Sequence, residues 1–135
     1  MVNQKTETLR LARTALVFLL LYIGIMITMS CIPGKQLENT VVPTYSGLLH
    51  FVEFMGLALI GSLTFALYDK EYFFTNIVSL VVVMSALTEG IQYYIPGRVF
   101  SIADFVVNIA GGLTFIIILI FGFIISTKTI SGAIK

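Results

Sequence analysis

Residues 14–32 read TALVFLLLYIGIMITMSCI, nineteen positions in a row without a charged side chain. As an α-helix rising about 1.5 Å per residue, this run is about 28 Å long, close to the thickness of the hydrocarbon core of a bilayer. Pro33-Gly34 follows and stops it. Lys5, Arg10 and Arg13 precede the run as they would in a signal peptide. The apolar stretch is too long for one, however, and it lacks a small-x-small cleavage site. Thr28-Met29-Ser30-Cys31 is also a poor lipoprotein cleavage box. The segment is therefore predicted to be an uncleaved membrane helix.

Three further runs repeat the pattern, at about 47–68, 72–95 and 102–126. The Asp69-Lys70-Glu71 turn separates the second from the third, and Pro96-Gly97-Arg98 separates the third from the fourth. Composition agrees: 58% of the 135 residues are hydrophobic and 11% charged, with a mean hydropathy of +1.01, whereas soluble domains carry about a quarter charged residues. A water-soluble globular fold is excluded. Strands are excluded as well, because the runs are long and a backbone in lipid must satisfy its own hydrogen bonds. The prediction is an all-α, polytopic four-helix membrane bundle occupying residues 1–135 as a single domain. A net charge of +1 excludes the dense basic surface that nucleic-acid binding requires. A single cysteine, Cys31, cannot form an internal disulfide.

Basic residues set the expected orientation, since short cytoplasmic segments carry the excess of Lys and Arg. Lys5, Arg10, Arg13, Lys70, Lys128 and Lys135 fall on one side of an even-spanning chain, and Lys35 and Arg98 on the other. This distribution predicts a multi-pass cell-membrane protein with both termini in the cytoplasm and the turn at Arg98 outside.

On that topology the intramembrane polar residues gather at the outer end: His50 and Glu53 start helix 2, Glu89 and Gln92 end helix 3, and Asp104 and Asn108 start helix 4. Spacings of three or four residues put each pair on one helix face. Gly111 and Gly112 continue the Asp104–Asn108 stripe and are expected to allow close helix approach. Ionisable groups in a membrane are costly and usually face a partner or a watery cavity. With His50 neutral, three carboxylates face Arg98, so a proton, a bound cation or a cationic ligand must balance them.

Two uses of this cluster compete. It can be interhelical glue, with Arg98 capping the bundle as an ion-pair partner of Asp104 or Glu89. Alternatively it can be a site. His50, Glu53 and Glu89 are then the candidate catalytic groups, able to exchange protons. Gln92, Arg98, Asp104 and Asn108 are the candidate ligand-binding groups, with Arg98 suited to a phosphate. His50, Glu53, Glu89 and Asp104 also form a donor set that suits a divalent Mn, Fe or Zn ion. Met26, Met29, Met55 and Met84 are expected to face lipid or the core. Tyr22 and Tyr45 read as interface or core aromatics, and Tyr93 and Tyr94 as further such aromatics or pocket walls. Helix 1, lacking an ionisable residue within its apolar run, is expected to face lipid or a partner. A small transporter or proton relay is disfavoured, since no ionisable residue lies in the inner half of any span.

Three pieces then stand together: His50-Phe51-x-Glu53-Phe54; Thr88-Glu89-Gly90-Ile91-Gln92-Tyr93-x-Ile95-Pro96-Gly97-Arg98; and Asp104-x-x-x-Asn108-x-x-Gly111. Their composite resembles the VanZ-like family of small integral membrane proteins over most of the chain. Where that family often has an Asp-Lys pair before the histidine, this chain has Gly47-Leu48-Leu49. The resemblance implies that His50, Glu53, Glu89, Gln92, Arg98, Asp104 and Asn108 are the recurrent polar residues. It also implies an association with resistance to the glycopeptide antibiotic teicoplanin, the property of the founding member. The reading that joins resemblance and placement is a membrane protein that binds or modifies a lipid-linked or cell-envelope component. The alternative is a structural or partner-binding membrane subunit. Catalysis and oligomeric state are left open by both.

Overall fold

The computed structural model describes residues 2–34, 46–68 and 71–133, with side chains described over 4–34, 46–68 and 71–126. Among them are the long helices α1 (Val2–Ser30), α2 (Ser46–Tyr68), α3 (Phe73–Gln92) and α4 (Ile102–Ala133), and no strand. Each contains a stretch long and apolar enough to cross a membrane: Gln4–Ser30, Ser46–Tyr68, Phe73–Gln92 and Ile102–Ser126. Lys35, Tyr45, Asp69, Lys70, Lys135 and the side chain of Lys128, which enter the sequence reading, lie outside the described residues.

The second and fourth runs begin where the sequence places them, within a residue, but α1 starts well before Thr14. Its extra turns are exposed over residues 4–11 and rich in polar side chains, and they are held by local bonds: Arg10 lies 3.5 Å from Glu7 one turn earlier, and the Thr8 hydroxyl donates to the Gln4 carbonyl at 3.0 Å. Apolar run length marks the part of a helix that suits lipid, not the whole helix. At the other extreme, α3 stops at Gln92 instead of Ile95. The amides of Tyr94 and Ile95 reach back only three residues, to Ile91 and Gln92. This tightening is the expected response to Pro96, which disfavours the helical conformation in the residue before it. Gly97 then adopts φ 76° and turns the chain, a conformation that suits a residue without Cβ.

α2 packs against all three other helices, and α3 touches α1 and α4 as well, so α1 and α4 flank the α2–α3 pair. The core they enclose contains Leu19 and Met26 from α1, Phe54, Leu57 and Ala58 from α2, Ile77, Val81 and Met84 from α3, and Ile116 from α4. Met26 and Met84 are core residues, while Met29 is exposed. The expectation that helix 1 faces away from the bundle is thus correct for one face only. Its Leu19–Met26 stripe is buried, and the Thr64 hydroxyl donates to its Ala15 carbonyl at 3.3 Å. The outer faces of all four helices carry exposed Leu, Ile, Val and Phe, as expected where lipid is the solvent.

Gly111 and Gly112 perform the role the sequence assigns them. A Cβ on Gly111 would overlap the Phe51 carbonyl oxygen of α2, and one on Gly112 would meet Val81 Cγ1 of α3 at 2.6 Å. The backbones of α2 and α4 therefore touch one residue away from His50.

Candidate functional site

The site is built from the start of α4. Ser101 precedes the helix, and its hydroxyl accepts a hydrogen bond from the Asp104 amide at 3.1 Å, so Ser101 caps the helix N-terminus. In the usual reciprocal cap, the acid three residues on would reach back to the cap residue's own N–H. Here that N–H donates instead to Glu89 Oε2 of α3, at 3.1 Å. The substitution has two results: α3 and α4 are pinned together at this end, and the Asp104 carboxylate is free to face elsewhere.

It faces Glu89 and His50. One ligand-capable atom from each of His50, Glu89 and Asp104 lies within 4.8 Å of the other two. Three helices thus deliver an imidazole and two carboxylates to one point. Glu89 is fully buried, and its Oε1 has no hydrogen-bond partner. One turn further along α4, Asn108 is also fully buried, with both Nδ2 and Oδ1 unpartnered. Two carboxylate charges about 5 Å apart repel by about 3 kcal/mol at an effective dielectric of about 20, so the triad in the bundle calls for a proton or a cation. The N-terminal end of α4, with its partial positive charge, offsets part of this, but it engages only Oε2 of Glu89.

Beside the triad lies a cavity of about 100 Å³ lined by Met29, Ser30, Ser46, Leu49, His50, Glu53, Gln92 and Arg98. Gln92 is buried, while Glu53, His50 and Arg98 are partly exposed. His50 is common to the cavity and the triad. The seven polar residues singled out in the sequence therefore do share one end of the bundle, but six of them form two adjoining groups instead of a single ring, with Asn108 one turn further along α4. Glu53 stands with Gln92 and Arg98 and outside the triad, although its carbonyl is fixed by the Tyr22 hydroxyl, which donates to it at 2.8 Å.

Arg98 corrects one expectation. No described carboxylate lies within ion-pair distance of it; the one described ion pair is Arg10–Glu7. Its Nε instead donates to the Ile32 carbonyl at 3.3 Å, and close by the Gly34 amide donates to the Pro96 carbonyl at 3.2 Å. The turn at Gly97 carries the guanidinium toward the end of α1 and not toward Asp104. A Cβ on Gly34 would overlap the Gly97 carbonyl, so the two Pro-Gly turns are in backbone contact. Tyr93 and Tyr94 are 67% and 82% exposed and are not pocket walls. Cys31 is free and exposed.

Ser101 is a residue of this end that the sequence does not single out, and Tyr22, expected only as an interface or core aromatic, anchors the Glu53 carbonyl. A serine three residues before Asp104 at a helix start is a capping signature and was available. Nothing in the sequence pairs Tyr22 with the Glu53 carbonyl.

The family model for VanZ/LLP1 matches residues 12–125. No curated protein matches the chain, and no solved structure does. The matched region holds the second and third spans whole, most of the first and fourth, and every polar residue of the triad and the cavity, and on that match the chain belongs to the VanZ/LLP1 family.

Proposed function

We propose that the polar end of the bundle is a binding site for the anionic head group of a lipid-linked or other cell-envelope component, facing the outer leaflet of the cell membrane. The observation that carries this reading is Arg98. It borders a cavity shared with His50, Glu53 and Gln92, and no described carboxylate lies within ion-pair distance of it. A guanidinium in that state matches phosphate oxygens with its fork of donors. The outward orientation and the cytoplasmic termini rest on the excess of Lys and Arg in the opposite segments. In this reading Gln92, Arg98, Asp104 and Asn108 hold the ligand, and His50, Glu53 and Glu89 are the groups able to exchange protons with it. Family membership adds glycopeptide susceptibility, teicoplanin above all, as the phenotype to measure.

The test is native mass spectrometry of lipids retained by the detergent-purified protein, wild type against Arg98→Ala and Arg98→Lys. Retention of a phosphate-bearing lipid by wild type, its loss in Arg98→Ala and partial return in Arg98→Lys support the reading. Equal retention in all three overturns it.

A second reading has its own observation. The Glu89–Ser101 bond stitches α3 to α4, as expected of a structural or partner-binding subunit whose polar cluster is glue. It predicts that Glu89→Gln lowers abundance and melting temperature in step with any loss of function. The binding reading predicts lost function at normal abundance.

A further inference from the structure

We infer that His50, Glu89 and Asp104 form a binding site for a divalent transition-metal ion of the Zn2+ or Mn2+ kind. The geometry comes first. For three atoms no more than 4.8 Å apart, some point lies within about 2.8 Å of all of them (4.8/√3), whereas metal–nitrogen and metal–oxygen bonds at Zn2+ are about 2.0–2.2 Å. A side-chain adjustment of about 0.6–0.8 Å per residue closes the site, with no movement of the helices. The donor set is one imidazole and two carboxylates. Carboxylates alone favour Mg2+ or Ca2+, and the nitrogen shifts the preference to Zn2+, Mn2+ or Fe2+. Two carboxylate charges and a divalent ion sum to zero, which is the balance a bilayer-embedded site needs.

The second observation is independent of the clustering. Glu89 is fully buried and its Oε1 has no partner, while its Oε2 is fixed by the Ser101 amide. A metal-ligating carboxylate has this form: one oxygen is oriented by an outer hydrogen bond and the other is left for the ion. Interhelical glue accounts for Oε2 and leaves Oε1 and His50 unexplained. Asn108, buried on the same face of α4 with both amide atoms unpartnered, offers a donor and an acceptor to a water on the ion. Three protein ligands leave at least one coordination position open, as in metal sites that act on a substrate.

The site shares His50, Glu89 and Asp104 with the head-group reading but does not rest on Arg98, the residue that carries that reading, and its test needs no envelope component. The full-length protein, purified in detergent, is stripped with a chelator, dialysed, and titrated with Zn2+ and separately with Mn2+, with bound metal measured by elemental analysis. The expected result is one equivalent per chain for wild type and for Glu53→Gln. His50→Gln, Glu89→Gln and Asp104→Asn are expected to bind at least about 100-fold more weakly, since even outer-shell changes cost 10–100-fold. Monodisperse elution and unchanged helical circular dichroism identify the variants that fold. Less than a tenth of an equivalent on wild type overturns the inference, whatever the variants do. Equal binding by wild type and any folded triad variant overturns it as well.

Discussion

Replacing Gly111 by alanine should pull the site apart without touching any of its polar groups. An added Cβ would overlap the Phe51 carbonyl oxygen and stand 2.9 Å from its carbon and 3.1 Å from its Cα. Carbon atoms pack at about 3.5–4.0 Å, and these neighbours are backbone, so relief requires α2 and α4 to part by about 1 Å. Overpacking of this kind costs about 1–3 kcal/mol, which for a chain of this size corresponds to a fall in melting temperature of about 3–10 °C. The comparison variant is Gly122→Ala on the same helix, where a Cβ would meet nothing within 4 Å. Thermal unfolding of both proteins in one detergent, followed by circular dichroism, separates a packing effect from a general effect of alanine. Gly111→Ala should melt several degrees below wild type and Gly122→Ala at or a few degrees above it, since alanine is the better helix former where nothing crowds its Cβ. Equal melting of the two variants would refute the claim that the α2 and α4 backbones touch beside His50.

Ser101→Ala removes the hydroxyl that caps α4 but keeps the amide that holds Glu89, and should cost about 1 kcal/mol of stability, with Ser101→Gly costing only a few tenths. Melting curves that place alanine at or above glycine would contradict the capping assignment. For orientation, a cysteine at the exposed position Tyr94, in a Cys31→Ser background, should react in intact cells with a membrane-impermeant maleimide. Labelling only after the cells are broken open would put the polar end in the cytosol and remove the outer-leaflet reading.

The four apolar runs and their order were legible because lipid demands about 20 apolar residues per crossing, and the chain supplies them between punctuating Pro-Gly and charged turns. Gly111 was legible for a different reason: a small residue on a polar stripe has few uses besides close approach. The division of the polar set was not legible. A spacing of three or four residues fixes which side chains share a helix face, yet it leaves open how each helix is rotated against its neighbours. His50 and Glu53 share a face of α2, but only His50 meets Glu89 and Asp104. Arg98 pairs with neither Asp104 nor Glu89, the partners that charge alone favours, because the turn at Gly97 delivers its Nε to the Ile32 carbonyl, 66 residues back in sequence and just past the end of α1. The early start of α1 escaped because polar, exposed helix leaves no hydropathy signal.

Convergence of the Glu89 and Asp104 carboxylates is the claim on which the site depends, and a double-mutant cycle in Glu89→Gln and Asp104→Asn measures it most directly. Unfolding free energies of wild type, both single variants and the double variant are compared in chelator-treated protein. Neighbouring groups in one network couple by about 0.5–3 kcal/mol, while distant sites add within about 0.3–0.5 kcal/mol. A coupling of about 1 kcal/mol or more is the predicted result. Strict additivity would mean that the two carboxylates do not meet, and the candidate site would go with it.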